Sequence, residues 1–162
     1  MPSPNTFSIK PISELLSRVI SDGDTVVDPF ARDSKLATYR NDLSPDTTAE
    51  FHMDAAHFGA FLLARDVIAD VVLFDPPYSP GQMVEVYQSV GITGTKTSQN
   101  ARLYKEARDG MDSILRPGGI AVSFGWNSAG FGKGRGYEML EILLVAHGGA
   151  HNDTICVVER KL

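Results

Sequence analysis

The sequence predicts an α/β fold with a mainly parallel sheet, and three observations lead to this prediction. Short apolar runs alternate with segments of helical periodicity along the chain, as they do where strands and helices alternate. The run at 71–74 is continuously apolar, which is typical of a parallel strand covered on both faces. The last two apolar runs, 142–145 and 154–158, are separated by a short connection, which favours an antiparallel pair at the end of the sheet.

The first half of the chain alternates between helical and extended patterns. Pro11 suits the first turn of a helix, because its missing N–H would have no partner there, and apolar residues then recur at helical spacing. Asp54 suits the N-cap of a later helix. The predicted elements of this half are a helix over 11–20, strands at 25–27, 37–41 and 51–53, and a helix from 54 to about 65.

The second half begins with the clearest strand, at 70–74. Three prolines follow it and end it, because proline has no N–H to donate to a sheet. The polar segment 91–99 predicts a mobile loop, and 125–136, with five glycines, predicts irregular structure. The other predicted elements are helices at 82–90 and 101–115, a turn at 117–119, and strands at 120–124, 142–145 and 154–158.

Length and composition restrict the kind of protein. The 162 residues suit one domain, so we expect a single domain over 1–162. Fifteen basic residues against 20 acidic ones give a net charge of −5, which argues against a surface that coats nucleic acid. One cysteine, Cys156, excludes an internal disulfide framework and fits a reducing compartment. The sequence has no signal peptide or membrane span, so we expect a cytoplasmic protein.

The clearest chemical motif is Asp75-Pro76-Pro77-Tyr78, directly after the strand at 70–74. Ligands bind beyond the carboxyl ends of strands in open α/β sheets, and two prolines make the backbone there rigid. Asp75 and the Pro76 carbonyl can each accept one N–H of an exocyclic amine, while the Tyr78 ring stacks on a flat heterocycle. The alternative reading of this motif is a plain strand-to-turn transition.

Three further carboxylates follow predicted strands. Asp28 ends the strand at 25–27 and begins a second Asp-Pro motif, so two strands can present carboxylates to one crevice. Asp42 could bind ribose hydroxyls, or serve as a turn or capping residue. Asp54 could accept a hydrogen bond from a purine amine, although an N-cap role is the simpler reading.

The glycine-rich segment 125–136 predicts contact with nucleic acid. Lys133 and Arg135 could contact phosphates, Trp126 could stack on a base, and Asn127 lies beside it in the same loop. The alternative is a flexible surface loop. Lys96, Arg102 and Lys105 could extend a basic rim, but an ordinary solvated helix face explains them better.

Two other readings of the second half fail on sequence pattern. The glycine-rich segment lacks the ending and spacing of a phosphate-binding loop, which excludes an NTPase of that type. The histidines at 147 and 151 and Cys156 match no common zinc module, so we expect no metal. Cys156 alternates with apolar residues and is expected in the core.

With its order of motifs, the chain resembles the amino-methyltransferases that methylate adenine N6 or cytosine N4 in DNA. Asp75-Pro76-Pro77-Tyr78 matches their catalytic motif, Asp28-Pro29-Phe30-Ala31 resembles their cofactor motif, and the segment from Phe7 to Pro11, including Lys10, resembles the one that precedes it. The resemblance implies a Rossmann-like class I methyltransferase sheet, S-adenosylmethionine as cofactor, and a DNA adenine flipped into the pocket.

The match departs from the family in two places. Arg32-Asp33-Ser34 stands where the family has glycines around the cofactor's methionine part, so Arg32 could pair with the cofactor carboxylate instead. No part of the sequence resembles a target recognition domain, so we expect sequence recognition to be slight, carried by loops, or supplied by a homodimer or a partner subunit. Two alternatives remain open: an RNA amino-methyltransferase, and a non-catalytic protein that binds nucleic acid or a partner on a degenerate methyltransferase fold.

Overall fold

A computed structural model describes residues 5–93, 97–149 and 151–162 of the chain. The strands are β1 (Val26–Asp28), β2 (Tyr39–Arg40), β3 (Ala69–Phe74), β4 (Leu115–Gly125), β5 (Tyr137–Val145) and β6 (Thr154–Lys161). The helices are α1 (Lys10–Val19), α2 (Ala55–Leu63), α3 (Pro80–Ser89) and α4 (Thr97–Ile114), with short 3-10 turns at Thr6–Ser8 and Lys133–Arg135.

The six strands form one sheet in the order β2-β1-β3-β4-β6-β5. The first four are parallel, whereas β6 pairs antiparallel with both β4 and β5. The predicted fold class is therefore confirmed, including the antiparallel pair at the end of the sheet. Because β1 and β3 are neighbours and run the same way, Asp28 and Asp75 emerge side by side at the carboxyl edge.

Helices cover both faces of the sheet, and alternate residues of β3 point to opposite faces. Val72 and Phe74 pack with side chains of α2 and α4, while Val71 and Leu73 pack with α1. Helices α2 and α4 approach closely where Gly59 meets Gly110: a Cβ on Gly59 would lie 2.4 Å from the Gly110 backbone. The core residues of β3 are thus buried on both faces, as the continuous apolar run predicted.

The structure corrects four predicted boundaries. Strand β2 is only two residues long, and the strand predicted at 51–53 is a single bridge from Phe51 to Asn41. The turn predicted at 117–119 lies inside β4, where the pairing with β3 shifts register before Ile120. Residues 97–99 of the predicted loop belong to α4, and 94–96 lie outside the described residues.

Strand β2 ends where its neighbour β1 ends. The Asn41 N–H makes the last bond of this pairing, to the Asp28 carbonyl, and the Asn41 carbonyl accepts from Ala31 in the loop after β1, 2.8 Å away. Cys156 is fully buried, as predicted. Within the described parts of the chain, no helix combines the length and apolar character needed to cross a membrane.

Candidate active site

Two buried carboxylates with unfilled hydrogen-bonding capacity lie at the carboxyl edge of the sheet. Asp28 is 0% exposed and Asp75 is 4% exposed. Oδ1 of Asp28 accepts from the Phe30 N–H at 2.9 Å, but Asp28 Oδ2 and Asp75 Oδ1 meet no donor among the described residues. A buried acceptor without a donor is costly, so this pair makes the carboxyl edge of the sheet a candidate site for a ligand that brings donors.

The electrostatics of these carboxylates follow from their burial. Burial raises the pKa of Asp28 well above its ordinary value, and the nearby charge of Asp75 adds to this effect. Burial also raises the pKa of Asp75, against the opposing effects of the Arg32 charge and of polar contacts with Tyr78 and Thr6. Perturbed carboxylates that line a cavity are typical of functional sites. Asp75 lines both cavities described below, whereas Asp28 lines neither.

Residues from α3 and α4 hold the Asp75-Pro76-Pro77-Tyr78 segment in place. The Tyr104 hydroxyl donates to the Pro77 carbonyl. The Tyr78 N–H donates to Oε1 of Gln82 at 2.8 Å, and Ser79 caps α3 by accepting from the Gln82 N–H at 3.2 Å. The sequence did not indicate these roles for Tyr104 and Gln82. No local pattern links residue 104 to residue 77, or the Gln82 side chain to the Tyr78 N–H.

A cavity of about 240 Å³ opens between the strand ends and helices α3 and α4. Asp42, Asp54 and Asp75 line it, as do Pro29, Phe30, Arg32, Pro77 and Tyr87. A second cavity of about 450 Å³ lies between the N-terminal segment at 5–8 and the loop after β1, where Ala31 contributes to its wall. Phe30, Arg32 and Asp75 line both cavities and therefore stand between them.

Arg32 is the cationic centre of this acidic region. Its charge lowers the pKa of Asp28, Asp42 and Asp75, although burial has the larger, opposite effect on each. Its backbone has φ +50°, the left-handed conformation that favours glycine, and its N–H donates to Oδ2 of Asp42 at 3.1 Å. The position thus keeps a glycine-like backbone while carrying a guanidinium.

Asp42 and Asp54 have structural partners and still face the first cavity. Asp42 also accepts from the Ser44 N–H at 2.9 Å. Asp54 is the N-cap of α2 as predicted, accepting from the Ala56 N–H at 2.9 Å, and its other oxygen accepts from the Tyr87 hydroxyl at 2.6 Å.

Asn41, which the sequence analysis did not single out, organises the loops around the cavity. It is fully buried, and its side chain donates to the carbonyls of Pro29 and Met53 and accepts from the Met53 N–H. All of its side-chain bonds join segments that are distant in sequence. A polar residue at the end of a predicted strand was the available signal for this role.

The glycine-rich segment at 125–136 runs from the carboxyl ends of the parallel strands to their amino ends. Trp126 follows the carboxyl end of β4 and meets Tyr78 edge to face, with ring centroids 5.8 Å apart and 40% of its surface exposed. The Asn127 side chain accepts from the Ala129 N–H and shapes the turn. Trp126 is therefore beside the Asp75 motif.

Lys133 and Arg135 do not lie on the rim of the crevice, contrary to the sequence analysis. The loop runs to the opposite edge of the sheet, because Tyr137 pairs with Lys161, whose ammonium contacts the Leu115 carbonyl at the start of β4. Arg135 binds Asp109 at 2.9 Å and the Phe131 carbonyl at 3.1 Å, so its role is to attach the loop to α4.

Three other basic residues that the sequence singled out, Lys10, Arg102 and Lys105, lie on solvated helix surfaces. Lys10, at the first residue of α1, extends into solvent 4.0 Å from Glu14 and lines neither of the two cavities. Arg102 pairs with Glu106, and Lys105 pairs with Asp109, each one helical turn apart. Lys96 lies outside the described residues.

The chain resembles solved methyltransferase structures over nearly its whole length. TrmN from Thermus thermophilus covers 93% of this chain at 20% identity, with a TM-score of 0.60. NSun6 from Pyrococcus horikoshii, solved with SFG, covers 99% at 17% identity and a TM-score of 0.59. A methyltransferase homolog protein from Pyrococcus horikoshii covers 91% at 14% identity and a TM-score of 0.57.

These similarities establish the fold. The chain has the Rossmann-like fold of S-adenosylmethionine-dependent methyltransferases. It spans 48% of the TrmN chain, 52% of the NSun6 chain and 64% of the third. No protein-family model and no curated protein sequence matches it.

Proposed function

We propose that this protein binds S-adenosylmethionine and methylates the exocyclic amine of a nucleobase, adenine N6 in DNA. The observation that carries the proposal is the unfilled oxygen of Asp75, buried between two cavities in a rigid Asp-Pro-Pro-Tyr segment. An amine N–H is a donor that completes such an acceptor. The methyltransferase fold supports the cofactor assignment, as does the NSun6 structure determined with SFG, an analogue of S-adenosylmethionine.

The residues around the first cavity fit this cofactor. Carboxylates on its wall suit ribose hydroxyls at Asp42 and a purine amine at Asp54, and Phe30 and Pro29 offer apolar surface to the adenine ring. Arg32, at the junction with the second cavity, suits the amino-acid carboxylate of the cofactor. S-adenosylmethionine supplies an electrophilic methyl group when it is bound.

The chain's own residues contribute positioning rather than covalent chemistry. Asp75 and the Pro76 carbonyl accept the two amine hydrogens and draw the nitrogen lone pair out of conjugation with the ring. Tyr78 and Trp126 provide an aromatic surface for the flipped base at the rim. Burial of Asp75 strengthens these contacts, because little water competes for the carboxylate.

Recognition of a DNA sequence is assigned to a second subunit, either another copy or a different partner. The proposed catalytic sheet uses most of the described chain. Because Lys133 and Arg135 lie at the far edge, they do not supply phosphate contacts beside the flipped base. Cross-linking of the protein to a DNA duplex, followed by measurement of the mass of the complex, gives the number of subunits on DNA.

Calorimetry with S-adenosylmethionine tests the cofactor assignment directly. The expected result is saturable binding to the wild type. Incubation with DNA and, separately, with RNA, followed by mass spectrometry of nucleosides, identifies the methylated base. N6-methyladenosine in RNA alone would replace DNA with RNA as the substrate, and failure to bind cofactor with either nucleic acid present would contradict the proposal.

One observation favours a second candidate, a non-catalytic binding protein. Arg32 places a guanidinium where the family that the chain resembles has glycine, and its charge partly offsets the effect of burial on the surrounding carboxylates. Under this alternative Arg32 occupies the space of the cofactor and the edge binds none. Nucleic-acid binding without cofactor binding, measured by fluorescence anisotropy and calorimetry on the same sample, would support it.

A further inference from the structure

One face of the edge strand β5 carries a row of exposed apolar side chains. Met139, Ile142 and Leu144 are 44, 51 and 61% exposed, and a row of this kind is typical of an interaction surface. We propose that the row is the interface of a homodimer, in which this face of two copies packs together about a two-fold axis. The dimer itself does not depend on the methyltransferase assignment, whereas its use as the second subunit for DNA recognition rests on the proposed function.

The three side chains share a face because β5 contains a bulge. Their partners in β6 are Glu159, Val157 and Ile155, which alternate along a regular strand and therefore point to one face of the sheet. The extra residue of β5, Leu140, brings Met139 into phase with the other two. Without this bulge Met139 would point to the opposite face and the row would be shorter.

The two faces of β5 differ in what covers them. On the opposite face Leu143 packs with the cluster that includes α1, and Glu141 pairs with Arg18 of that helix at 2.9 Å. On the face of the row no helix arrives from the preceding connection. Residues 126–136, which the structure describes throughout, contain a 3-10 turn and no α-helix. The sheet therefore ends in a strand that the chain covers on one face.

The charges of β5 do not oppose contact between two copies. The strand has two carboxylates, and each is already paired: Glu141 with Arg18, and Glu138 with Arg160 at 2.7 Å. It has no lysine and no proline, the residues that commonly protect an edge strand from association. Two copies can therefore meet along this strand despite the net charge of −5. A row without a free cation does not suit the phosphates of nucleic acid.

The shape of this face suits a second copy of itself. Leu144 is the most exposed member of the row and stands near one end. Near the other end a concavity of about 980 Å³ opens between β5 and the loop before it, with Met139, Tyr137 and Gly136 in its wall. The β6 partners of Leu144 and Met139 are four residues apart, which is about 13 Å. A two-fold axis midway between them sets each Leu144 against the other copy's concavity, with the two β5 strands antiparallel.

The exposed apolar area approaches what a dimer requires. The four exposed apolar side chains of β5 present on the order of 400 Å² in each copy. Two copies would bury about 800 Å² from these side chains alone, against about 1,200 Å² for the smallest standard interface. The walls of the concavity supply additional contact area. We therefore expect a dimer that dissociates on dilution.

Sedimentation velocity of the full chain, without cofactor or DNA, measures this dimer. The wild type should change from monomer to dimer as its concentration rises. Leu144→Glu should raise the dissociation constant at least about tenfold, because it places an unpaired carboxylate in an apolar contact. Ile68→Glu is the matched control: it adds the same charge at a side chain that is 63% exposed outside β5, and it should dimerise like the wild type. Circular dichroism checks that both variants fold.

Cross-linking tests the antiparallel arrangement without disturbing the interface by charge. The single native cysteine, Cys156, is fully buried, so an introduced cysteine is the accessible thiol. Tagged Met139→Cys mixed with untagged Leu144→Cys should give a mixed dimer with a short bifunctional thiol reagent, and Ile68→Cys measures the background from random collision. Faster linking of Leu144→Cys to itself than to Met139→Cys would overturn the arrangement.

The outcomes separate this interface from the proposed function. A wild type that remains monomeric at the highest soluble concentration overturns the dimer and leaves the row to a different protein. A dimer that Leu144→Glu does not weaken also overturns it, and neither result bears on methyl transfer. A dimer that depends on Leu144, in a protein that binds no cofactor, supports the interface and contradicts the proposed function.

Discussion

Two buried acidic centres of this molecule differ in how their oxygens are satisfied. Glu159 in β6 is 1% exposed, and the backbone N–H groups of Phe131 and Gly132 donate to its two oxygens at 2.6 and 2.9 Å. Asp28 and Asp75 are equally buried, yet each keeps one oxygen without a donor among the described residues. Burial of a carboxylate therefore does not mark function by itself, and an oxygen without a donor makes the carboxyl edge the better candidate for a functional site.

The Glu159 centre has a purely structural explanation. It holds the loop after β4 against the sheet, and Gly130 makes room for it: a Cβ there would lie 2.3 Å from Glu159 Oε2, and the backbone has φ +55°. The chain supplies every partner that this carboxylate needs. At the carboxyl edge, Asp28 Oδ2 and Asp75 Oδ1 have no such partner among the described residues.

The largest expected effect is the loss of activity on substitution of Asp75, which has an oxygen without a donor. Asp75→Ala should lower methyl transfer by at least about a hundredfold, the scale of losing a group that binds the reacting atom. The fold should persist, because removing a buried carboxylate with a raised pKa relieves a desolvation cost. Nucleoside mass spectrometry measures the rate and circular dichroism the fold. Turnover that equals the wild type would remove Asp75 from its proposed role.

The largest expected effect on stability is at Glu159, whose two oxygens both accept hydrogen bonds. Glu159→Gln removes one acceptor oxygen facing two fixed N–H donors, so we expect a loss of about 2–4 kcal/mol in the free energy of unfolding. Activity per folded molecule should remain. Urea denaturation gives the stability, with the exposed Glu50→Gln as a control expected to change it by less than about 0.5 kcal/mol. If Glu159→Gln left the free energy of unfolding unchanged, the proposed difference between Glu159 and the carboxylates at 28 and 75 would be wrong.

A smaller effect with the opposite sign is expected at Asp28. The pKa of Asp28 is raised in the folded protein, so its unfavourable contribution is absent below the unfolded-state pKa and grows as pH rises through the folded-state pKa. Asp28→Asn keeps an acceptor for the Phe30 N–H and should stabilise the protein by about 1–3 kcal/mol at neutral pH. Urea midpoints from pH 3 to 8 measure this, and a gain that is equally large at pH 3 would contradict the explanation.

Arg32→Gly should weaken cofactor binding and also lower the free energy of unfolding. Relief of the left-handed backbone, about 1–2 kcal/mol, is reduced by the entropy that glycine loses on folding, about 0.5–1 kcal/mol, and the variant also loses the positive charge beside the buried Asp28, Asp42 and Asp75. If Arg32 binds the cofactor carboxylate, affinity for S-adenosylmethionine should fall, and Arg32→Lys should retain part of it. A variant that binds more tightly than the wild type would show instead that Arg32 obstructs the cavity.

The smallest expected effect is at Lys133. Because this residue lies at the edge opposite to Asp75, Lys133→Ala should leave DNA methylation within about twofold of the wild type. Trp126→Ala, from the other end of the same loop, is the matched comparison and should weaken substrate binding through the loss of its contact with Tyr78. Equal losses in both variants would place substrate on both edges of the sheet.

Much of the fold was predictable because its signals are local. The continuous apolar run before Asp75 and the prolines after it predict a buried strand and its end, and both are observed. The Asp54 cap is likewise visible in a few residues. The two-residue β2 was not predictable, since its length depends on where its neighbour β1 ends, at Asp28, and no local pattern around residues 39–41 encodes that contact.

The sequence by itself determined that carboxylates end two apolar strands, because strand formation and termination depend on neighbouring residues. Tertiary structure decided which carboxylates accept hydrogen bonds at both oxygens, since the donors to Glu159 come from a loop 27 and 28 residues away in sequence. It also moved Lys133 and Arg135 to the far edge, because the loop after β4 crosses the sheet before β5 begins. Chain direction in a sheet, rather than proximity in sequence, determines which side chains meet at a site.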